Sequence, residues 1–291
     1  MKKSYLKYFT GLLLFGSNGV VASYIHLSSY EIVLLRSVLG IALLLGIFLI
    51  AGHRFTAFRH KKDLLLIALS GIAMAADWLL LFEAYAQIGV SLGMLINYTG
   101  PAIVIALSPL LLKERITFAK VIALAAALLG AFLISGQAAV IGISIGGLAC
   151  AGLSAVAYAV MVLSNKMAKE VIGIENATIQ LLCTAIVVTV FVSCKQGFSM
   201  EIAANDWPPI LLLGLINTGV GCYCYFSSIG KLPAQSIAIC GYLEPLFAVL
   251  LSVLILHEPM APLQILGAAL IIGGAAFGEG ERLFMTRQNC R

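Results

Sequence analysis

The sequence predicts an all-α integral membrane protein with ten transmembrane helices, built as two inverted five-helix repeats. Three observations carry that reading. The 291 residues are 61% hydrophobic and only 11% charged, whereas a soluble domain carries about 25% charged residues to coat its water-facing surface. Apolar runs of about 20 residues, the length that crosses a bilayer as a helix, recur from end to end. A set of Pro, Glu and Gly markers in the first half returns in the second half 144 residues further on.

The spans fall at about 5–26, 30–51, 63–87, 90–112, 116–136, 142–165, 174–194, 208–229, 233–256 and 261–279. Charges or helix breakers separate them, among them His53–Lys62, Lys113-Glu114-Arg115, Lys166–Glu170, Lys195–Asp206 and Lys231-Leu232-Pro233. The opening Met1-Lys2-Lys3 also fits a signal peptide. The apolar run behind it continues to Ile25, long enough to span, and has a counterpart in the second half. With a cytoplasmic N-terminus, 16 of the 18 Lys and Arg residues fall on the inner side, leaving Lys195 outside and Arg36 within a span. Loop Lys and Arg set orientation, so this bias predicts that both termini are cytoplasmic, in the cell membrane. It also explains the net charge of +5 without a nucleic-acid partner.

The internal repeat is a matter of punctuation more than identity. Tyr98-Thr99-Gly100-Pro101 and Lys113-Glu114 correspond to Tyr242-Leu243-Glu244-Pro245 and His257-Glu258, and Gly130-Ala131 to Gly274-Ala275. This predicts one repeat over 1–136, a second over 142–279, and a cytoplasmic tail at 280–291. Five helices per repeat force the second repeat upside down. That arrangement builds many secondary transporters, with the site between the repeats near mid-membrane.

Charges inside spans are costly and therefore mark function. Four stand out: Arg36, Asp77, Glu83 and Glu244. At 1.5 Å per residue, Arg36 lies roughly 9 Å and Glu83 roughly 6 Å below the outer surface, which predicts a structural ion pair between them. Asp77 lies roughly 21 Å and Glu244 roughly 16 Å from the inner end of their spans, near the midplane. Each reads as a substrate contact or a proton site, against the plainer reading of a hydrogen-bonded strut. Asn97, Tyr98, Asn217 and Tyr242 bracket the same depth and join them as candidate substrate-binding residues. Pro101 and Pro245 predict helix breaks, because proline removes a backbone donor and frees a carbonyl.

The repeated Pro101…Leu112-Lys113-Glu114 and Pro245…Leu256-His257-Glu258, each followed by a Gly-rich helix, resemble the drug/metabolite transporter superfamily of the EamA type. Phe15-Gly16-Ser17-Asn18 and Arg36 fit the same pattern, and the resemblance spans essentially the whole chain. It implies a metabolite carrier, often an exporter of amino acids or related compounds. The family usually has Trp where this chain has Phe15 and Val156, so a Trp-lined pocket is not implied.

The sequence contains no P-loop, no His-Glu-x-x-His and no Gly-x-Ser-x-Gly. Its seven cysteines are odd in number and mostly lie in apolar runs, so they read as free thiols and not as a disulfide or metal framework. No cofactor and no metal are expected. The resulting expectation is a non-enzymatic secondary transporter of a small polar metabolite, with the substrate and the bilayer as partners; a homodimer is left open. A polytopic membrane enzyme is the rival reading, and would need a His, Ser or Cys constellation near the interface. A non-transporting receptor or scaffold is the other, and has no need of the repeat.

Overall fold

A computed structural model of the chain describes residues 2–135, 144–197, 200–255, 257 and 262–288. Among these residues every regular element is helical. Among the described residues, seven helical stretches are long and apolar enough to cross a membrane: Ser29–Ile50, Lys61–Ile88, Leu92–Leu112, Ile145–Met167, Ile174–Lys195, Ala204–Ile229 and Ala234–Ile255. Shorter apolar stretches lie at Phe118–Leu133 and Ile265–Gly278.

In chain order the helices are α1 (Lys2–Gly16), α2 (Asn18–Ala22), α3 (Ser29–Ile50), α4 (Lys61–Ile88), α5 (Val90–Asn97), α6 (Gly100–Leu112), α7 (Phe118–Ser135), α8 (Ile145–Met167) and α9 (Ile174–Gln196). The second half continues with α10 (Trp207–Leu211), a π-helical stretch (Leu212–Val220), α11 (Gly221–Ile229), α12 (Ala234–Gly241), α13 (Leu243–Ile255) and α14 (Pro262–Gln288). Residues 280–288, expected as tail, thus continue α14.

Local chemistry sets the ends. Ser28 and Glu31 form a reciprocal capping box at the start of α3: the Glu31 amide donates to Ser28 Oγ at 3.4 Å and the Ser28 amide to Glu31 Oε2 at 2.8 Å. The helix expected around Pro101 is divided into α5 and α6 at Tyr98-Thr99, with Pro101 in the first turn of α6, where its missing N–H costs nothing. The helix around Pro245 is divided in the same way at Tyr242. α6 ends on Lys113 at φ 57°, and His257, 144 residues on, has φ 56°. These are the positive-φ residues other than glycine among those described, so the repeat seen in the punctuation is also written in the backbone.

α4 packs against α8 and α9, α7 against α14, α1 against α11 and α13, and α3 against α9 and the π-helical stretch. Gly130 and Gly274, matched in the sequence, both sit in the α7–α14 seam. A Cβ on Gly130 would lie 2.5 Å from the Gly267 carbonyl oxygen, and one on Gly274 would lie 2.9 Å from that of Ala123. Backbones this close are how membrane helices gain packing contact. Gly130→Val is therefore expected to cut the monodisperse yield several-fold, while the same change at Gly46, where a Cβ meets open space, leaves it unchanged. Size-exclusion chromatography of the two variants checks this.

Candidate functional site

A cavity of about 830 Å³ runs from the 25–30 loop, before and into α3, down to the rings of Tyr158 and Tyr225. Its wall is mostly apolar and aromatic, including Phe15, Trp78, Phe82 and Tyr85. Five elements bring charge or amide groups to it: α2 with Asn18, α3 with Arg36, α4 with Asp77, α5 with Asn97, and α13 with Glu244.

Asp77 anchors a three-helix network. Asn97 Nδ2 donates to Asp77 Oδ1 at 2.8 Å and to Ser154 Oγ at 3.0 Å. Ser154 Oγ in turn donates to the Ala151 carbonyl at 2.8 Å. Asp77 is only 6% exposed, and one carboxylate oxygen is fixed while the side chain still lines the cavity. Asn97 closes α5 just before the break, so the break delivers it to α4. Glu244 lines the same cavity from the first turn of α13 and makes no hydrogen bond among the described residues.

The two breaks touch each other. Tyr242 Oη donates to the Tyr98 carbonyl at 2.6 Å, and the two rings lie 6.3 Å apart. The residues are 144 positions apart, so equivalent points of the two repeats meet at the cavity wall. The carbonyl involved lies at the first break, where the helix ladder has lapsed.

The expected Arg36–Glu83 ion pair does not form. Arg36 lies over the Trp78 ring, 4.1 Å from its centroid, and its Nε donates to Thr218 Oγ1 at 3.1 Å. Glu83 is five residues beyond Trp78, about 140° further round the helix, so similar depth does not bring it to the same side. It binds Lys195 Nζ at 2.7 Å and accepts from Tyr30, while Gln87 also donates to it at 3.1 Å. Asn217, expected in the cavity, is 2% exposed and is spent as a strut. Its Nδ2 donates to Ser17 Oγ at 2.8 Å and Asn18 Oδ1 at 3.1 Å, holding the α1–α2 junction. Pro101 lines the cavity, whereas Pro245 does not.

Thr218 and Trp78 carry no charge, so the cost of intramembrane charge does not mark them, yet both hold Arg36. The π-helical stretch supplies Thr218, whose Oγ1 also donates to the Leu213 carbonyl five residues back at 2.9 Å. Single π turns shift the helical phase and recur at functional sites. Of the two positions where Trp was the family expectation, Phe15 does line the cavity, while Val156 is 47% exposed on the outside. No group of three or more His, Cys, Asp or Glu among the described residues is arranged to hold a metal. His26 pairs with Asp206 at 2.9 Å, and neither residue lines the cavity.

The far end of the bundle is tied shut. Glu114 accepts from the Ala234 and Gln235 amides at 2.8 and 3.3 Å, and Lys166 donates to the carbonyls of Ile229 and Leu232. Asp63 accepts from three successive amides, those of Lys169, Glu170 and Val171. Glu175 takes the Thr56 and Ala57 amides and the Thr56 hydroxyl.

A helical membrane bundle with a cavity reaching its interior from one end, and with acids on the cavity wall, has the form of a transport protein. The chain belongs to the EamA-like transporter family, whose model matches residues 2–136 and again 145–277. It is 25% identical over 278 residues to the uncharacterized transporter YxxF of Bacillus subtilis (strain 168), covering 93% of this chain and 88% of that one. A solved crystal structure with 20% identity superposes with a TM-score of 0.83 over 95% of this chain and 96% of the other, and so shares the fold.

Proposed function

We propose that this protein is a secondary carrier that moves a small polar metabolite, an amino acid, amine or related compound, by alternating access in the export direction. The observation that carries the reading is the asymmetry of the bundle: one cavity reaches Asp77, Asn97 and Glu244 from the 25–30 end, while the other end is laced by side chain to backbone bonds. Adding α1–α2, α7 and α14 to the seven long helices gives ten crossings in two inverted repeats. Both termini then lie in the cytoplasm of a cell whose plasma membrane holds the carrier. In this frame Asp77 and Glu244 meet a substrate ammonium or exchange a proton, while Asn97, Tyr98 and Tyr242 orient the substrate.

Uptake of a mixed metabolite pool into proteoliposomes, read by mass spectrometry, tests the carrier. Accumulation of a defined subset over protein-free vesicles is expected, and accumulation of none would end the reading. Reporter fusions at Arg291 and beside Gly197 test the topology. An internal signal from the first and an external signal from the second are expected; an external signal at Arg291 refutes ten crossings.

A further inference from the structure

We infer that Arg36 is an anion-docking residue, so that the transported solute carries a carboxylate, phosphonate, sulfonate or phosphate group. Arg36 is 8% exposed, and what it shows faces the cavity. Its guanidinium is permanently charged. The guanidinium carbon lies over the Trp78 ring, 4.1 Å from its centroid, and Thr218 takes Nε. Neither contact cancels the charge: a cation–π contact polarises a ring, and a hydroxyl is neutral. Glu244 is the carboxylate that acts on Arg36 through the cavity they both line, but it stands beyond ion-pair distance: the ion pairs among the described residues are His26–Asp206 and Lys195–Glu83. A buried cation whose nearest acid stands off without touching it is left costly, and a directly paired anion would relieve that cost.

The geometry says where the counter-charge enters. Nε is occupied, while Nη1 and Nη2 make no hydrogen bond among the described residues and belong to a side chain that lines the cavity. Two parallel N–H groups on Nη1 and Nη2 match the two oxygens of a carboxylate or of a phosphoryl or sulfonyl group. Trp78 and Thr218 hold the plane fixed, so the fork is set before the anion arrives and little ordering cost is left. Trp78 and Asp77 are neighbours on α4. The acid end of a solute on Arg36 therefore leaves its donor end within the range of Asp77 and Asn97. This rests on the carrier reading for the word transported and selects acidic and zwitterionic solutes over plain amines.

The chain has two tryptophans, Trp78 and Trp207, so Trp207→Phe makes Trp78 a sole reporter stacked on the guanidinium. This full-length protein, in detergent, is titrated with acetate and methylphosphonate, with acetamide and methylammonium as controls. A saturable change in Trp78 fluorescence with the anions alone is expected, weakened about tenfold or more in Arg36→Gln. Absence of a saturable anion response, or an unchanged one in Arg36→Gln, overturns the proposal. If Arg36→Gln does not fold, Arg36→Lys decides: it keeps the charge and loses the fork, and binding about threefold weaker or more supports the proposal while unchanged binding overturns it. The pooled uptake assay separates the two levels. Uptake of amines without an anion response sinks the docking and keeps the carrier; anion binding without uptake of any solute sinks the carrier and keeps the docking.

Discussion

Asp77→Asn and Glu244→Gln are each expected to lower uptake per folded molecule by about tenfold or more, with little change in folded yield. The magnitude follows from the interaction at stake: a hydrogen bond involving a charged group is worth about 1.5–3 kcal/mol, or roughly 10- to 100-fold in an equilibrium. The preserved yield follows from what each side chain does in the fold. An amide at position 77 keeps an oxygen for Asn97 Nδ2, now at 2.8 Å from Asp77 Oδ1, so the link to Ser154 survives. Glu244 makes no hydrogen bond among the described residues, so Glu244→Gln removes no fold contact of that kind. A strut would give the opposite result, with yield lost and specific uptake kept. Uptake normalised to monodisperse protein therefore separates the two roles, and wild-type rates in both variants would remove both residues from the mechanism.

The fold was legible because a membrane simplifies the physics. In lipid every backbone group must be satisfied within its own segment, so apolar length and loop charge carry most of the architecture. The repeat was legible through backbone demands: Pro101 and Pro245 mark where helices break, and Lys113 and His257 share a left-handed turn. Residues at the breaks, Asn97, Tyr98 and Tyr242, line the cavity.

The azimuth of side chains was not legible. Depth along a helix follows from counting residues, but facing does not, since it depends on which neighbour arrives. Arg36 and Glu83 matched in depth yet turned to different partners, Trp78 with Thr218 and Lys195 with Tyr30. Asn217 was misplaced for a related reason. It lies in the π-helical stretch, where the α-helical phase fails, and its amide turns to Ser17 and Asn18 on the first helices. Lys195, read as the one basic residue outside, binds across to α3 and α4.

Asp63→Ala is expected to cost the most stability of any single polar change at the closed end. Asp63 is 7% exposed, and one oxygen accepts the amides of Lys169, Glu170 and Val171 at 2.8, 2.6 and 3.2 Å. Three amides converging on one oxygen form a nest that suits an anion. Alanine would leave those donors without their acceptor, and a buried donor left unsatisfied costs about 1–3 kcal/mol. Bonds that share an oxygen do not add fully, so a total of about 3 kcal/mol is expected, a fall in melting temperature of roughly 6–10 °C. Asp63→Asn keeps an oxygen and loses the charge, and should fall about halfway. Glu175 clamps the neighbouring loop through Thr56 and Ala57. The two latches share no partner, so the double variant Asp63→Asn, Glu175→Gln should lose close to the sum of the two single losses. An unchanged melting temperature in Asp63→Ala would mean that water already serves those amides and that the closed end is held by apolar packing alone. A graded loss means that charge on backbone amides ties this end, and a carrier that alternates must release those same bonds to open it.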